Sequence, residues 1–266
     1  MNMFERSSII RSPHAFATRH GGISTHEHTR SLNLAFGRGD DDETVLKNLE
    51  IFASKIGIDP KSVISLPQIH SDIIFTVKRE NRGEGYYARD KIASGDGYIT
   101  GEKGVTLGIK TADCTPILFE AEMNGEIVAV GAVHAGWRGT VAQIATKCIE
   151  RLKNEFGADV SHIRAAIGPC IHPCCYEVSE DLYLAVKDAL GQDVANRFVL
   201  AREGKLGKYS CDLAGINRYL LLSAGLSAEN IDVINECTSC YHDKYYSHRY
   251  TNGNRGTMLN IISMGN

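Results

Sequence analysis

The chain has 266 residues, of which 43% are hydrophobic and 23% charged, and its formal net charge is -3. These values are typical of a globular protein and exclude a disordered or fibrous class. The charge balance provides no basic stripe, so no nucleic acid partner is expected. No apolar run has the length of a signal peptide or a membrane span, so we expect a cytoplasmic protein with no membrane partner and eight reduced cysteines.

Taken in chain order, short runs rich in β-branched residues predict seven strands. They are 62–69, 72–77, 104–110, 115–120, 126–133, 162–168 and 231–235. Apolar periodicity and capping residues predict four helices, at 43–56, 139–156, 179–190 and 212–224. Ser179 and Asp212 are the expected N-caps of the last two helices. The polar stretch from Asn81 to Asp96 is expected to form a surface loop.

The order of these elements indicates the fold class. Several strands stand side by side in sequence before each helix, so the regular winding of βαβ units does not follow and an α+β fold with a mixed sheet is predicted. The chain contains no fixed-period repeat, low-complexity tract or Pro/Ser-rich linker. Residues 1–266 are therefore expected to form a single domain.

Three potential metal ligands follow apolar strands at breaks in the pattern. His70 lies in SLPQIHSD, Cys114 in KTADCTPILF and His134 in EIVAVGAVHAGWRGT. One sulfur and two nitrogen ligands suit zinc, and three protein ligands leave a position open for water or substrate, as in catalytic sites. The intervals between them match no short zinc motif, so the residue types alone carry this prediction.

The segment HAGWRGT predicts a strand end, a tight turn and a helix that opens at Gly139 or Thr140. The free N–H groups of such a helix start favour an anion, and Arg138 adds a two-pronged donor for phosphate. The alternative is a simple turn in which Trp137 packs and Arg138 pairs with a surface carboxylate.

Several long segments resemble one family. They are TRHGGISTHEHTRSLNLAFGRGDD, PQIHSD, ADCTPILF, VHAGWRGT, IGPCIHPCCYEVSEDL and YYSHRYTNGNRGTM, which together span nearly the whole chain. They are similar to the laccase-domain or multicopper polyphenol oxidase family, whose members are zinc-dependent purine nucleoside phosphorylases with adenosine deaminase side activity. The resemblance implies mixed sheets sandwiched between helices in αββα-type layers, with the site in a surface cleft.

The resemblance also implies roles for individual residues. The family's metal ligands fall on His70, Cys114 and His134. Arg19 is implied as a second phosphate-binding arginine beside Arg138, and Asn33 as a group that orients a ribose hydroxyl or water. The expected substrates are purine nucleosides and phosphate, namely adenosine, inosine, guanosine or methylthioadenosine, in an order that the sequence does not rank.

For deamination, Asp113 beside Cys114 is the expected proton carrier. The general acid or base and the oligomeric state stay open. Cys174 and Cys175 depart from the family pattern, as does His248.

Three rival interpretations remain. Cys114 could be the nucleophile of a metal-free hydrolase with His134 or His70 as its base and Asp113 as the orienting group. A copper-dependent polyphenol oxidase would require several H-x-H pairs, whereas the sequence has only His26 and His28, although a thiolate site could accept copper in vitro. Finally, a structural zinc site could use four cysteines, drawn from Cys170, Cys174, Cys175, Cys237 and Cys240.

Overall fold

The structure is a computed structural model that describes residues 2–90 and 93–265. Its strands are β1 (Phe4–Glu5), β2 (His14–Ala17), β3 (Val63–Ile64), β4 (Ile74–Thr76), β5 (Gly97–Thr100), β6 (Thr106–Thr111), β7 (Thr115–Met123), β8 (Glu126–Ala135), β9 (Ile163–Ile167), β10 (Glu177–Ser179), β11 (Val199–Ala201), β12 (Lys208–Cys211), β13 (Ile231–Val233) and β14 (Met258–Ser263). Its helices are α1 (Asp42–Ile56), α2 (Trp137–Val141), α3 (Ile144–Phe156), α4 (Glu180–Leu190), α5 (Gln192–Phe198) and α6 (Leu213–Ser223). Short 3-10 turns lie at Pro60–Ser62, Arg79–Asn81, Val160–His162 and Ala228–Asn230.

Two mixed sheets form the centre of the molecule. One has the strand order β13-β9-β7-β8-β5-β4 and the other the order β1-β2-β14-β6-β3. Each contains both parallel and antiparallel pairs. Strand β14 lies inside the second sheet, where it pairs antiparallel with both β2 and β6.

The alternation of side chains along the strands explains why the sheets stack. In β8, Val130 and Ala132 point into the core between the sheets, whereas Ala129 and Val133 point to the outer face that α3 and α6 cover. On the second sheet, Leu259 contributes to the apolar cluster beneath α1.

The layers are therefore helix, sheet, sheet and helix, which confirms the predicted α+β fold with αββα layers in one compact domain. A third sheet, β10-β12-β11, packs with α4, α5 and α6 in a separate apolar cluster. Within residues 2–90 and 93–265, no helix has the length and apolar character needed to cross a membrane.

All four predicted helices are present, but one of them is interrupted. The segment predicted as one helix, 139–156, is divided into α2 and α3 by Gln143, whose φ of 60° lies in the left-handed region. Asp212 caps α6 by accepting a hydrogen bond from the N–H of Gly215, as expected. Ser179 is the N-cap residue of α4, as predicted, but its side chain makes no capping hydrogen bond.

All seven predicted strands are present, although several are shorter than predicted. The strands that the sequence did not reveal have two to six residues each, which leaves little room for a periodic signal. The expected surface loop between Asn81 and Asp96 is only partly on the surface. Tyr86 is buried and donates a hydrogen bond to the carbonyl oxygen of Leu34 at 2.6 Å, and residues 91–92 lie outside the described residues.

Candidate metal centre and cleft

Strand pairing brings Cys114, His134 and His70 together. Cys114 lies in the short connection between β6 and β7, and His134 lies near the end of the neighbouring strand β8. The register pairs Pro116 with His134, so Cys114 projects beside the histidine ring. His70 reaches the same point from the connection between β3 and β4, with a backbone φ of 60°.

The donor atoms of these three side chains all lie within 4.8 Å of one another. Cys114 Sγ is 3.9 Å from His70 Nε2, and the two imidazole rings meet edge to face with centroids 4.9 Å apart. His134 is buried while His70 is exposed, so the group opens to solvent on one side. A set of one thiolate and two imidazoles fits zinc, and the open side leaves room for a further ligand.

Asp96, which the sequence analysis missed, holds two of the three side chains in place. Its Oδ1 accepts hydrogen bonds from His134 Nδ1 at 2.8 Å and from the N–H of His70 at 3.0 Å. Its Oδ2 accepts from the N–H groups of Ile69 and Ser71 and from the Ser71 hydroxyl. The bond to Nδ1 leaves His134 Nε2 as the nitrogen available to a metal.

The charges in this group stabilise one another. Burial disfavours the thiolate of Cys114, but the charge of His134 and hydrogen bonds from both histidines outweigh it and lower the pKa of Cys114 to about 6. Burial also opposes the cation of His134, but Cys114 and Asp96 raise the pKa of His134 to about 9. Likewise, hydrogen bonds from His134 and Ser71 overcome burial and lower the pKa of Asp96 to about 2. The thiol is thereby favoured in its metal-binding form.

Gly136 is the residue around which the three ligands close. A Cβ atom at this position would stand 3.0 Å from His70 Cδ2, 3.3 Å from Cys114 Sγ and 3.6 Å from His134 Cε1. Gly136 also precedes α2 as its N-cap, with an ordinary extended backbone. The requirement for glycine here is therefore one of space.

A cleft of about 420 Å³ opens in front of the three side chains. Among the described residues, its lining contains four cationic side chains and no carboxylate: Arg38, Arg89, Lys110 and Arg255. This cleft is suited to an anion beside the candidate metal group.

Arg255 has the environment expected of an anion-binding group. One of its Nη atoms bonds to Thr257 Oγ1 at 2.6 Å, whereas its Nε is buried without a hydrogen-bond partner among the described residues. Burial and the neighbouring charge of Arg38 lower the pKa of Arg255 to about 10, so the group remains a cation near neutral pH.

Lys110 and Arg89 differ in whether their charge is already paired with a carboxylate. Lys110 Nζ is 3.2 Å from the carbonyl oxygen of Ser65, and burial lowers its pKa to about 8. The Ser65 hydroxyl is buried without a hydrogen-bond partner among the described residues. Arg89 is already paired with Asp42 at 2.5 Å and stacks over the ring of Phe36, which also lines the cleft.

The two arginines that the sequence analysis assigned to phosphate do not line this cleft, although the pocket that Arg19 lines shares Arg255 with it. Arg138 is exposed, and its guanidinium stacks 4.2 Å from the Trp137 ring centre. Arg19 bonds to the carbonyl oxygens of Arg30 and His242 and lines a different pocket. Neither arginine is among the residues that line the cleft with His70, Cys114 and His134.

Asn33 and Asp113 are engaged within the protein. Asn33 is fully buried and makes its amide hydrogen bonds within the protein, to Ala35, Asp40 and the N–H of Thr257.

Asp113 has both carboxylate oxygens occupied, by Thr238 Oγ1 and by the N–H of Arg249, each at 2.7 Å. Its φ of 104° shows that it shapes the turn that presents Cys114. In this geometry Asp113 positions the turn that carries Cys114.

Arg38 and Arg255, which the sequence analysis did not single out, lie in GRGDD and NGNRG, two of the segments that carried the resemblance. Their location in these segments was the only feature of the sequence that could have marked them as candidate site residues. Asp96 had only a weak signal, a carboxylate directly before a strand.

Comparison with known proteins provides independent information. The family described as multi-copper polyphenol oxidoreductase laccase matches residues 13–265. A purine nucleoside phosphorylase, YlmD, from Bacillus subtilis is 34% identical over 94% of this chain and 87% of its own length. Adenosine deaminase RL5, from an unknown prokaryotic organism, is 32% identical over 93% and 92%. The crystal structure of YlmD from Geobacillus stearothermophilus covers 99% of both chains with a TM-score of 0.87 at 32% identity.

Proposed function

Because the chain belongs to the multi-copper polyphenol oxidoreductase laccase family and its relatives are named as enzymes of purine nucleosides, we propose that this enzyme is a zinc-dependent purine nucleoside phosphorylase with adenosine deaminase side activity. The observation that carries the proposal is the cleft, in which a Cys/His/His group faces cationic side chains. Phosphorolysis requires phosphate and a nucleoside to be bound side by side. The cationic side chains of this cleft suit phosphate, and its apolar side chains suit a nucleoside.

His70, Cys114 and His134 hold the zinc ion, and Asp96 fixes the ring orientation of His134. When bound, zinc supplies a Lewis acid that polarises an oxygen of phosphate or water. The closed packing around Gly136 keeps the three ligands within reach of one ion.

Phosphate binding belongs to Arg38 and Arg255 in this proposal, with Lys110 behind them, in place of Arg19 and Arg138. These groups line the same cleft as the metal ligands, and the Nε of Arg255 is a donor with no partner in the part of the chain that the structure describes. A guanidinium presents paired donors to phosphate oxygens, so it orients the anion as well as attracting it. Holding phosphate against the ribose in this way provides most of the rate enhancement.

The nucleoside lies along the apolar part of the same cleft. Phe36 lines it and already stacks with the guanidinium of Arg89, so its ring provides a flat surface for a purine base. Deamination in the same cleft needs a proton carrier other than Asp113, because both oxygens of that carboxylate are occupied.

The rival activities differ in the groups they need. His26 and His28, the only H-x-H pair in the sequence, stack with ring centroids 6.0 Å apart, and His28 Nε2 bonds to the carbonyl oxygen of Arg38. Neither belongs to a group of potential metal ligands within the described residues, which disfavours a multicopper oxidase. The metal-free hydrolase has one observation in its favour, because the pKa of Cys114 beside His134 suits a nucleophile.

The test uses one zinc-loaded, copper-free preparation. We expect release of free purine base from adenosine or inosine with phosphate, and no oxidation of a phenolic dye under air. Cys114→Ala is expected to lose that activity together with the zinc of this site while its circular dichroism spectrum is unchanged. Full activity of the wild type after complete chelation would support the thiol hydrolase, and dye oxidation without nucleoside turnover would support the oxidase.

The phosphate assignment has its own matched pair of variants. Arg38→Gln removes one cation from the cleft and should raise the KM for phosphate roughly tenfold or more, since a hydrogen bond to a charged group contributes about 1.5–3 kcal/mol. Arg138→Gln makes the same change outside the cleft and should leave that KM unchanged. If Arg138→Gln raised the KM for phosphate and Arg38→Gln did not, phosphate binding would be assigned to Arg138 in the turn after β8.

A further inference from the structure

Four cysteines outside the cleft converge on one point. Cys174 and Cys175 lie in the connection between β9 and β10, and Cys237 and Cys240 lie after β13. All four Sγ atoms are within 4.8 Å of one another. Cys240 Sγ is 3.4 Å from both Cys174 Sγ and Cys175 Sγ. Four sulfurs around one zinc ion at about 2.3 Å stand roughly 3.8 Å apart, which is close to this arrangement.

Main-chain pairing holds the two segments in register. Cys170 and Cys237 form an isolated bridge, and the N–H of Thr238 donates to the carbonyl oxygen of Cys170 at 3.0 Å. The convergence of the sulfurs is therefore built into the backbone. The other two buried cysteines away from both groups, Cys148 and Cys211, lie instead in apolar clusters.

Cys237 Sγ also accepts a hydrogen bond from the other cysteine segment. The N–H of His172, close to Cys174 and Cys175 in sequence, donates to this sulfur at 3.4 Å. The two segments are therefore joined at the sulfur atom as well as through the main chain.

Packing and disulfide bonding do not explain the cluster. Cys174 and Cys240 are exposed, so apolar burial does not account for their positions. All eight cysteines are free, and the 3.4 Å separations exceed the S–S bond length of about 2.05 Å. Arginines lie on two sides, since Arg202 donates to the carbonyl oxygens of Pro173 and Cys174 and Arg249 to that of Cys175. Their charges offset part of the negative charge of a tetrathiolate site.

We propose that Cys174, Cys175, Cys237 and Cys240 bind a second zinc ion with a structural role. A site with four thiolates has no open position, so this ion takes no part in turnover. It ties together two segments that are far apart in sequence.

Both segments also hold the turn that presents Cys114. Thr238 donates to Asp113 Oδ1, and the N–H of Ile171 donates to the Asp113 carbonyl oxygen at 2.8 Å. The second zinc ion therefore stabilises the wall behind the cleft from a distance.

The first experiment needs no variant. Wild-type protein, purified under reducing conditions and dialysed against metal-free buffer, is analysed for zinc content and by zinc X-ray absorption. Two zinc ions per chain with an average of about 2.5 sulfur ligands per zinc are expected, because one site supplies one sulfur and the other four. One zinc with four sulfurs would support this site and contradict the zinc of the cleft. One zinc with a single sulfur, or no zinc, would overturn the proposal.

Variants then assign the second ion. Cys240→Ser should reduce the zinc content from two to one per chain, and Cys114→Ala should also leave one, bound by sulfur alone. Cys211→Ser is the matched control, since it removes a buried thiol outside both groups and should retain two. If Cys240→Ser keeps two zinc ions, the proposal is wrong, and if it does not fold, the absorption result on the wild type decides. Counting free thiols in denatured wild type distinguishes a disulfide, which would leave fewer than eight.

Discussion

Asp96 is the residue on which the geometry of the candidate metal centre depends most. It is fully buried, and its two oxygens accept five hydrogen bonds from His134, Ile69, His70 and Ser71. A carboxylate behind a ligating imidazole fixes the ring and raises its basicity. Asp96 does not line the cleft itself, so its influence acts through the two histidines that do.

Asp96→Asn should weaken zinc binding in the cleft roughly 10- to 100-fold, because an amide keeps the size of the side chain but loses its charge. The dissociation constant is measured by competition with a chelator, and unfolding is followed in parallel. Asp72→Asn is the control, since Asp72 makes a half-exposed ion pair with Lys147 nearby. Equal zinc affinity in Asp96→Asn and wild type would show that the carboxylate does not support the ligand.

At the residue scale, the matching segments predicted which residues meet better than they predicted which side chains are free to bind a ligand. His70, Cys114 and His134 do converge as predicted. Asn33 and Asp113 lie in equally similar segments, yet their side chains bond within the protein. Sequence shows that a residue type is required, but it does not show which way the side chain points.

Among the elements, the turn between β8 and α2 sets the tightness of the site. Gly136 has a φ of -65° and a ψ of 170°, which alanine also adopts, so substitution strains no backbone. The added methyl group would instead meet His70 and Cys114 at 3.0 and 3.3 Å.

Gly136→Ala should therefore weaken zinc binding by about tenfold, or about 1.4 kcal/mol, with the fold retained. Zinc affinity is measured for both proteins, and the metal-free forms are unfolded in denaturant as the control. Comparable stability of the metal-free forms with lower zinc affinity is the expected pattern. Unchanged affinity would mean that the three ligands have more space than the structure shows.

Helices with an apolar repeat over many residues could be predicted from the sequence, but the residues that interrupt them could not. The apolar face from Val141 to Phe156 continues through the break at Gln143, so periodicity alone indicated one helix. Both helices contact β8 and α6, whereas α2 also contacts α4 and α3 also contacts β5, and such contacts are not readable from local periodicity. The same limit applies to β10, β11 and β12, whose three or four residues pair only with one another.

For the whole molecule, the resemblance predicted the αββα layers, and the order of elements predicted the α+β class. Neither predicted which strands pair with one another. Pairing between β14 and β2, or between β4 and β5, depends on contacts distant in sequence. The number of topologies compatible with seven predicted strands is large, and local pattern does not choose among them.

Stability of the whole fold should fall in mild acid because the buried His14 must stay neutral. His14 is 4% exposed, accepts a hydrogen bond from the N–H of Ser7 at Nε2, and contacts the Ser12 carbonyl oxygen through Nδ1. Burial lowers its pKa below 6.5. The unfolded chain therefore binds a proton that the folded chain excludes, so stability present above about pH 6.5 is lost as the pH falls.

Between about pH 7.5 and about pH 5.5, the zinc-saturated wild type should lose roughly 1 kcal/mol more unfolding free energy than His14→Gln does. Denaturant unfolding at both pH values measures this difference. His162→Gln, which replaces an exposed histidine, should behave as the wild type. Identical pH dependence in all three proteins would contradict the role of His14.

The inner position of β14 has a consequence for synthesis on the ribosome. Strand β2 begins at His14, but its inner neighbour begins at Met258, so β2 has only the two-residue β1 to pair with until residues 258–263 have been made. Strand β6 likewise has only the two-residue β3 beside it until then. In the nascent chain, β7, β8 and β9 can pair early. The second sheet keeps unpaired strand edges until β14 is made, and such edges are prone to aggregation. Closure of the second sheet therefore waits for the synthesis of β14.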